Sequence, residues 1–313
     1  MALPAKPRFY RHSGKVPAPA FLLAPPLCLL VGLLTGGIYG YLGLLVHLVP
    51  LAEFFLLFLI CALMALGALL GIFPAMLMSR LHARSTPAVL VLTLIESLAA
   101  LYSAWFFWFV SYFQYFGRPF PLRLASPLQL ARFIQFLSTK GVWTSFSVHP
   151  AGPALWAIWI GEAAVIIGIA LFIAARAARN RVYCESCKKW GSTRSLMQTR
   201  PIKSELLRKN LFAGNFESLA SAEKSPDGDS AWNQFTLEGC PSCDNLQTLT
   251  VERARLERDR RRTKTKTTHI IHRLLLTPDQ TVTLAHIAAS VMTGELPADS
   301  PTPTDAPSPS PPA

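Results

Sequence analysis

The sequence predicts an all-α transmembrane four-helix bundle, then a small α+β zinc-ribbon-like cytoplasmic domain and a disordered tail. Three observations lead there. Four apolar stretches, about 26–47, 51–77, 87–113 and 154–175, each reach the roughly 20 residues that a helix needs to cross a hydrocarbon core. The composition changes abruptly near residue 180. Two Cys-x-x-Cys pairs, Cys184 with Cys187 and Cys240 with Cys243, follow that change.

A chain of 313 residues that is 51% hydrophobic and 15% charged is too apolar for an ordinary soluble protein. Residues 1–180 contain no Asp, three Glu (Glu53, Glu96, Glu162) and twelve Lys or Arg, which gives +9 of the net +12. Residues 181–313 carry eighteen basic and fifteen acidic residues. The positive charge therefore belongs to membrane flanks, which speaks against a nucleic-acid partner.

Residues 1–25 form a basic N-terminus with Lys6, Arg8, Arg11 and Lys15. The apolar run after it is too long for a signal peptide and lacks a small-residue cleavage site, so it reads as a retained span. Pro25-Pro26 suits a helix start, where the missing N–H groups cost nothing. Lys and Arg flank the N-terminus, the 79–86 turn and the exit of the last span, which places both termini in the cytoplasm, with a bacterial inner membrane as the expected location. The 117–153 loop, with Arg118, Arg123, Arg132 and Lys140, runs against this trend.

Gly32, Gly36 and Gly40 recur every four residues in the first span, and Gly67, Gly71 and Ala75 do so in the second. Small residues at that step let helices approach closely in lipid. Folding about Pro50 would set Gly32 opposite Gly67 in a hairpin; the same glycines could instead join two copies of the chain.

The third span opens at Thr86-Pro87 and ends among aromatic residues from Tyr102 to Phe116, the composition of an interfacial belt. Residues 126–140 predict an amphipathic helix on the outer membrane surface, ended by Gly141. With it, the membrane domain covers 26–178. Within 179–295, residues 232–238, 246–252 and 265–271 read as strands, while 253–263 is ambiguous between helix and hairpin. Thr277-Pro278-Asp279-Gln280 reads as a capping box opening a last helix to about Met292. Residues 296–313, rich in Pro, Ser and Thr, cannot bury a core.

Two sulfurs two residues apart can reach one ion, and a second such pair completes a tetrahedral shell. Cys184, Cys187, Cys240 and Cys243 thus point to structural zinc, with a redox pair or an iron–sulfur centre as alternatives. The 52 residues between the pairs exceed the usual short spacing. Cys28 and Cys61 read as small buried residues of the spans. Glu53 falls at the outer interface.

Glu96 and Glu162 fall near mid-membrane with no Lys or Arg at their depth, so they form either neutral interhelical hydrogen bonds with Ser97, Ser103, Tyr39 or Tyr41, or a proton or cation site. On a strand, His269 and His272 would face opposite sides. Arg260, Arg261, Arg262, Lys264 and Lys266 form a basic run suited to anionic lipid or a solvated turn. No nucleophile elbow, zinc-protease motif or phosphate loop is present. These features favour a non-enzymatic, membrane-anchored interaction or scaffold module with a protein partner. The alternative is a small oligomeric transporter or channel using Glu96 and Glu162.

On the paired cysteines after several spans, the chain resembles uncharacterised bacterial multi-span membrane proteins that carry a cytoplasmic zinc-ribbon-like segment. The resemblance covers about 26–276 and implies the fold, without an activity.

Overall fold

A computed structural model describes residues 7–47, 52–141, 150–179, 181–226, 228–259 and 262–293. The chain divides into two compact units. One is His12–Asn180, and the other joins Met1–Arg11 to Arg181–Ala313.

The first unit contains α1 (Ala18–His47), α2 (Ala52–Arg80), α3 (Thr86–Tyr115), α4 (Pro127–Lys140) and α5 (Pro153–Arg179). All except α4 are long and apolar enough to cross a membrane. Helix α1 begins eight residues before the expected start, so Pro25 and Pro26 lie inside it. Each proline removes one intrahelical bond, which would have ended on the carbonyl of Phe21 or Leu22. Packing offsets this loss. Ala20, Ala24 and Cys28 continue a small-residue face at four-residue steps and are buried against Ala75, Met78, Val89 and Ala174. The cap of α3 is Ser85, whose hydroxyl accepts the Ala88 N–H at 3.3 Å, one residue earlier than the sequence suggested.

The glycines do not meet in an α1–α2 hairpin. A Cβ on Gly32 would lie 2.5 Å from the Glu96 carbonyl, and one on Gly36 or Gly40 would overlap the backbone of Ala100 or Ala104. A Cβ on Gly71 would lie 2.5 Å from the Ala170 carbonyl, and one on Gly67 3.0 Å from that of Ile166. Both series ascend together, so α1 runs parallel to α3, and α2 to α5. At Gly36 and Gly40 the missing side chain lets the backbone of α3 come directly against that of α1. Ser103 reinforces the first pair by donating to the Leu33 carbonyl at 2.5 Å.

The cluster around Cys28 joins the start of α1, the end of α2, the start of α3 and the end of α5. The Arg84 N–H donates to the Lys15 carbonyl at 2.9 Å at this same end. At the opposite end, α4 stops at Gly141 with φ 75°, as expected. The aromatic end of α3 is a packed layer there: Phe109 is buried with Phe133 at 5.0 Å, and Trp105 meets Trp159 edge-on at 4.9 Å. Trp156 of α5 donates to Ser138 of α4 at 3.1 Å.

The second unit is an antiparallel meander, β3 (Ser192–Thr199), β4 (Ala231–Gly239), β5 (Gln247–Asp259) and β6 (Arg262–Leu276), paired in that order. Helices α6 (Ser204–Phe212) and α7 (Pro278–Thr293) contribute Leu207, Leu211, Leu284 and Ile287 to a core with Phe235, Leu249, Val251 and Ile271. In the ambiguous 253–263 stretch, the described residues 253–259 and 262–263 are strand, and Glu257 pairs in register with Lys264. Helix α6 lies before the first of the expected strands, where no element was expected. The capping box of α7 forms, with the Thr277 N–H on Gln280 Oε1 at 3.0 Å and the Gln280 N–H on Thr277 Oγ1 at 3.3 Å.

Residues 7–11, expected to belong to a separate basic N-terminus, join this unit. Phe9 bridges antiparallel to Leu274 at the edge of the sheet.

Candidate metal centre

Tyr183–Cys184 (β1) and Lys189–Trp190 (β2) form a two-stranded hairpin whose turn carries Cys187. The left-handed conformation of Lys188, φ 53°, closes that turn. Cys240-Pro241-Ser242-Cys243 links β4 to β5, closed by the Cys240 N–H on the Leu246 carbonyl at 3.0 Å. Ser192 pairs with Gly239, so the strand leaving the first knuckle runs back beside the strand entering the second. The 52-residue gap is therefore an excursion through β3, α6 and β4 that returns to its origin. Gly191 permits the approach, because a Cβ there would lie 2.5 Å from Val182 Cγ2 and 3.1 Å from the Gly239 carbonyl.

The four Sγ atoms lie within 4.8 Å of one another, and Cys184 Sγ is 3.7 Å from Cys243 Sγ. Zn–S bonds of about 2.3 Å at tetrahedral angles separate sulfurs by about 3.8 Å, whereas a disulfide needs about 2.05 Å. The thiols are free, and the set fits a tetrahedral ion once the wider pairs draw in by about 1 Å. Lys189 Nζ donates to Ser242 Oγ at 2.9 Å, joining the two knuckles.

Before a metal binds, the thiols differ. Hydrogen bonding with Cys243 and then burial push Cys187 up to about 12, and burial raises Cys184. At Cys240 burial also pushes upward, but the backbone N–H of Ser242 and the Cys243 thiol outweigh it and hold this thiol at about 7. Cys240 thus offers a thiolate near neutral pH.

The other candidates do not gather at one place. Glu162 accepts from Tyr39 Oη at 2.6 Å, between α5 and α1. Glu96 is fully buried, and the group that meets its carboxyl is the Cys28 thiol, a weak hydrogen-bond donor. Cys28 and Tyr39 are about 16 Å apart along α1, so the two carboxyls engage different levels of the bundle. Ser97 and Ser103 donate to backbone carbonyls instead. Cys61 is exposed, contrary to expectation, on a helix face turned toward the surroundings.

His269 and His272 do not face opposite sides, since their rings are 5.0 Å apart. The register shift between Val251 and Glu252 places one extra residue in β6 between His269 and Ile271, and this bulge reverses the alternation between the two histidines. His269 Nδ1 lies 2.9 Å from Glu252 Oε1. In the basic run, exposed Lys266 pairs with Glu257 at 3.1 Å; Arg260, Arg261 and the side chains of Arg262 and Glu53 lie outside the described residues.

Sequence reasoning missed two features. Buried Arg273, at φ 54°, forms an ion pair with the half-buried Glu238 at 3.1 Å. Tyr10 Oη accepts the Tyr183 N–H at 2.8 Å, beside Cys184. Neither has a local sequence signal.

Comparison with protein families, with characterised proteins and with solved structures finds no match to this chain.

Proposed function

We propose that the protein is a membrane-anchored zinc-ribbon protein, a non-enzymatic module that presents the 181–293 domain to a protein partner. The observation that carries this reading is the closed set of four thiols, which fills a tetrahedral shell and leaves no position for substrate. Zinc suits four thiolates without redox chemistry. Hydrogen bonding between residues 8–10 and β6 supports placing both ends of the four-span segment on one side of the membrane. Nine Lys and Arg flank the spans on that side, from Lys6 to Arg181, against four in the 117–153 loop, which favours the cytoplasm of a bacterial inner membrane.

The rival reading, an oligomeric transporter or channel, rests on Glu96, whose carboxyl is fully buried with the weakly donating Cys28 thiol beside it. The engagement of Glu162 by Tyr39 speaks for packing. Reporters fused at Thr193 and after Met292 should read cytoplasmic and one at Thr144 external, and Glu96→Gln with Glu162→Gln should leave proton and cation flux in vesicles unchanged. A cytoplasmic Thr144 reporter would overturn the topology. A pH-dependent flux lost in the glutamine variants would replace the module with the transporter.

A further inference from the structure

We propose that residues 8–10 form a strap whose docking and the metal occupancy of the four-cysteine site stabilise each other. The inference rests on the metal-centre reading above and adds a partner for it, the segment that precedes the first span.

The strap has two attachments. Along the free edge of β6, the Leu275 N–H donates to the Arg8 carbonyl at 2.8 Å and the Tyr10 N–H to the Arg273 carbonyl at 3.0 Å, while the Phe9 ring meets Phe212 edge-on at 5.8 Å. From this strand the Tyr10 side chain reaches Tyr183. Its hydroxyl accepts the Tyr183 N–H at 2.8 Å and lies 3.4 Å from the Tyr183 carbonyl. Tyr183 immediately precedes Cys184, and its ring meets Trp190 edge-on at 5.0 Å across the hairpin.

That hairpin has two residues per strand, too few to persist without outside support. A metal holds it through Cys184 and Cys187, and Tyr10 holds it through the Tyr183 backbone. Ordering the hairpin by either route removes entropy that the other would otherwise have to overcome, so each strengthens the other by the same factor. The Tyr10–Tyr183 contact spans 173 positions in sequence and encloses all four membrane helices. Metal loss therefore loosens a clamp that ties together the two ends of the membrane segment.

The test uses the full-length protein in nanodiscs, with metal content and hydrogen exchange measured on the same samples. Stripping zinc with a high-affinity chelator should speed exchange in residues 8–12 by about tenfold, while β5 stays protected. In the reciprocal arm, Tyr10→Phe should bind one zinc per chain yet release it to the chelator about three to ten times faster, the factor expected for one lost hydrogen bond. Deletion of residues 1–11 should speed release at least as much. Equal exchange with and without zinc, or unchanged release in both variants, overturns the strap while leaving the metal centre standing. Protein that is purified without metal and whose β1–β2 hairpin is nonetheless protected from exchange overturns the metal centre itself and the strap with it.

Discussion

Replacing Gly36 with alanine should force α1 away from α3. At neighbouring Gly32 a Cβ would sit 2.5 Å from the Glu96 carbonyl, about 1 Å inside an ordinary C···O approach of about 3.5 Å. At Gly36 the overlap with Ala100 is deeper and involves backbone that cannot rotate away. The helices must part by about 1 Å or more, and overpacking of this kind costs about 1–3 kcal/mol. The same substitution at an open helical position has the opposite sign, since alanine favours a helix over glycine by about 0.5–1 kcal/mol. Gly161 and Gly168 of α5 have nothing within 4 Å of a built Cβ and serve as controls. Unfolding in one detergent can be followed by tryptophan fluorescence, because Trp105 and Trp159 report on the α3–α5 contact. Gly36→Ala should lower the midpoint independently of protein concentration, and Gly168→Ala should hold or raise it. A Gly36→Ala variant as stable as wild type would refute the close α1–α3 approach, and a concentration-dependent loss would mean that the glycines join two chains.

Two further predictions concern the 181–293 domain. Arg273→Met strands the Glu238 carboxylate where only 15% of its side chain is exposed, so it should cost about 3–5 kcal/mol in a denaturant titration; Glu238→Met added to it should recover most of the loss. Partial burial, followed by the positive charge of Arg273 and of His269, holds His272 below its ordinary 6.5 despite the opposing pull of Glu238 and Glu252. The folded state thus favours neutral His272. Its contribution to stability is present above pH 6.5 and is lost as pH falls through the folded value. Thermal midpoints between pH 7 and 5 should therefore fall less steeply for His272→Gln than for wild type, and parallel slopes would remove His272 from the account.

The spans and the cysteines were legible because both signals are local. Apolar runs of membrane length and two Cys-x-x-Cys pairs need no tertiary context, and the capping box at Thr277 is complete within four residues. Partner choice was not local. The spacing of Gly32, Gly36 and Gly40 showed that a close helix contact exists, but the complementary Ala100 and Ala104 lie more than sixty residues away on a helix selected by shape. The start of α1 was misplaced because Pro25 and Pro26 break helices in isolation, whereas tertiary packing around Ala24 and Cys28 holds one here. The histidine pair was misread because a bulge in β6 changes parity without a glycine or proline to mark it. The N-terminal bridge was invisible for the same kind of reason, as a short segment pairs with a strand over 260 residues away.

As the proposed zinc-ribbon module, the protein needs Cys184, Cys187, Cys240 and Cys243 together to close one structural metal site. X-ray absorption on the intact protein as purified tests it most directly. The expected result is one zinc per chain with four sulfur ligands at about 2.3 Å, lost in Cys184→Ser with Cys240→Ser along with the fold of the β1–β2 hairpin. A fully folded protein without metal, or a metal shell that includes water or nitrogen, would contradict it.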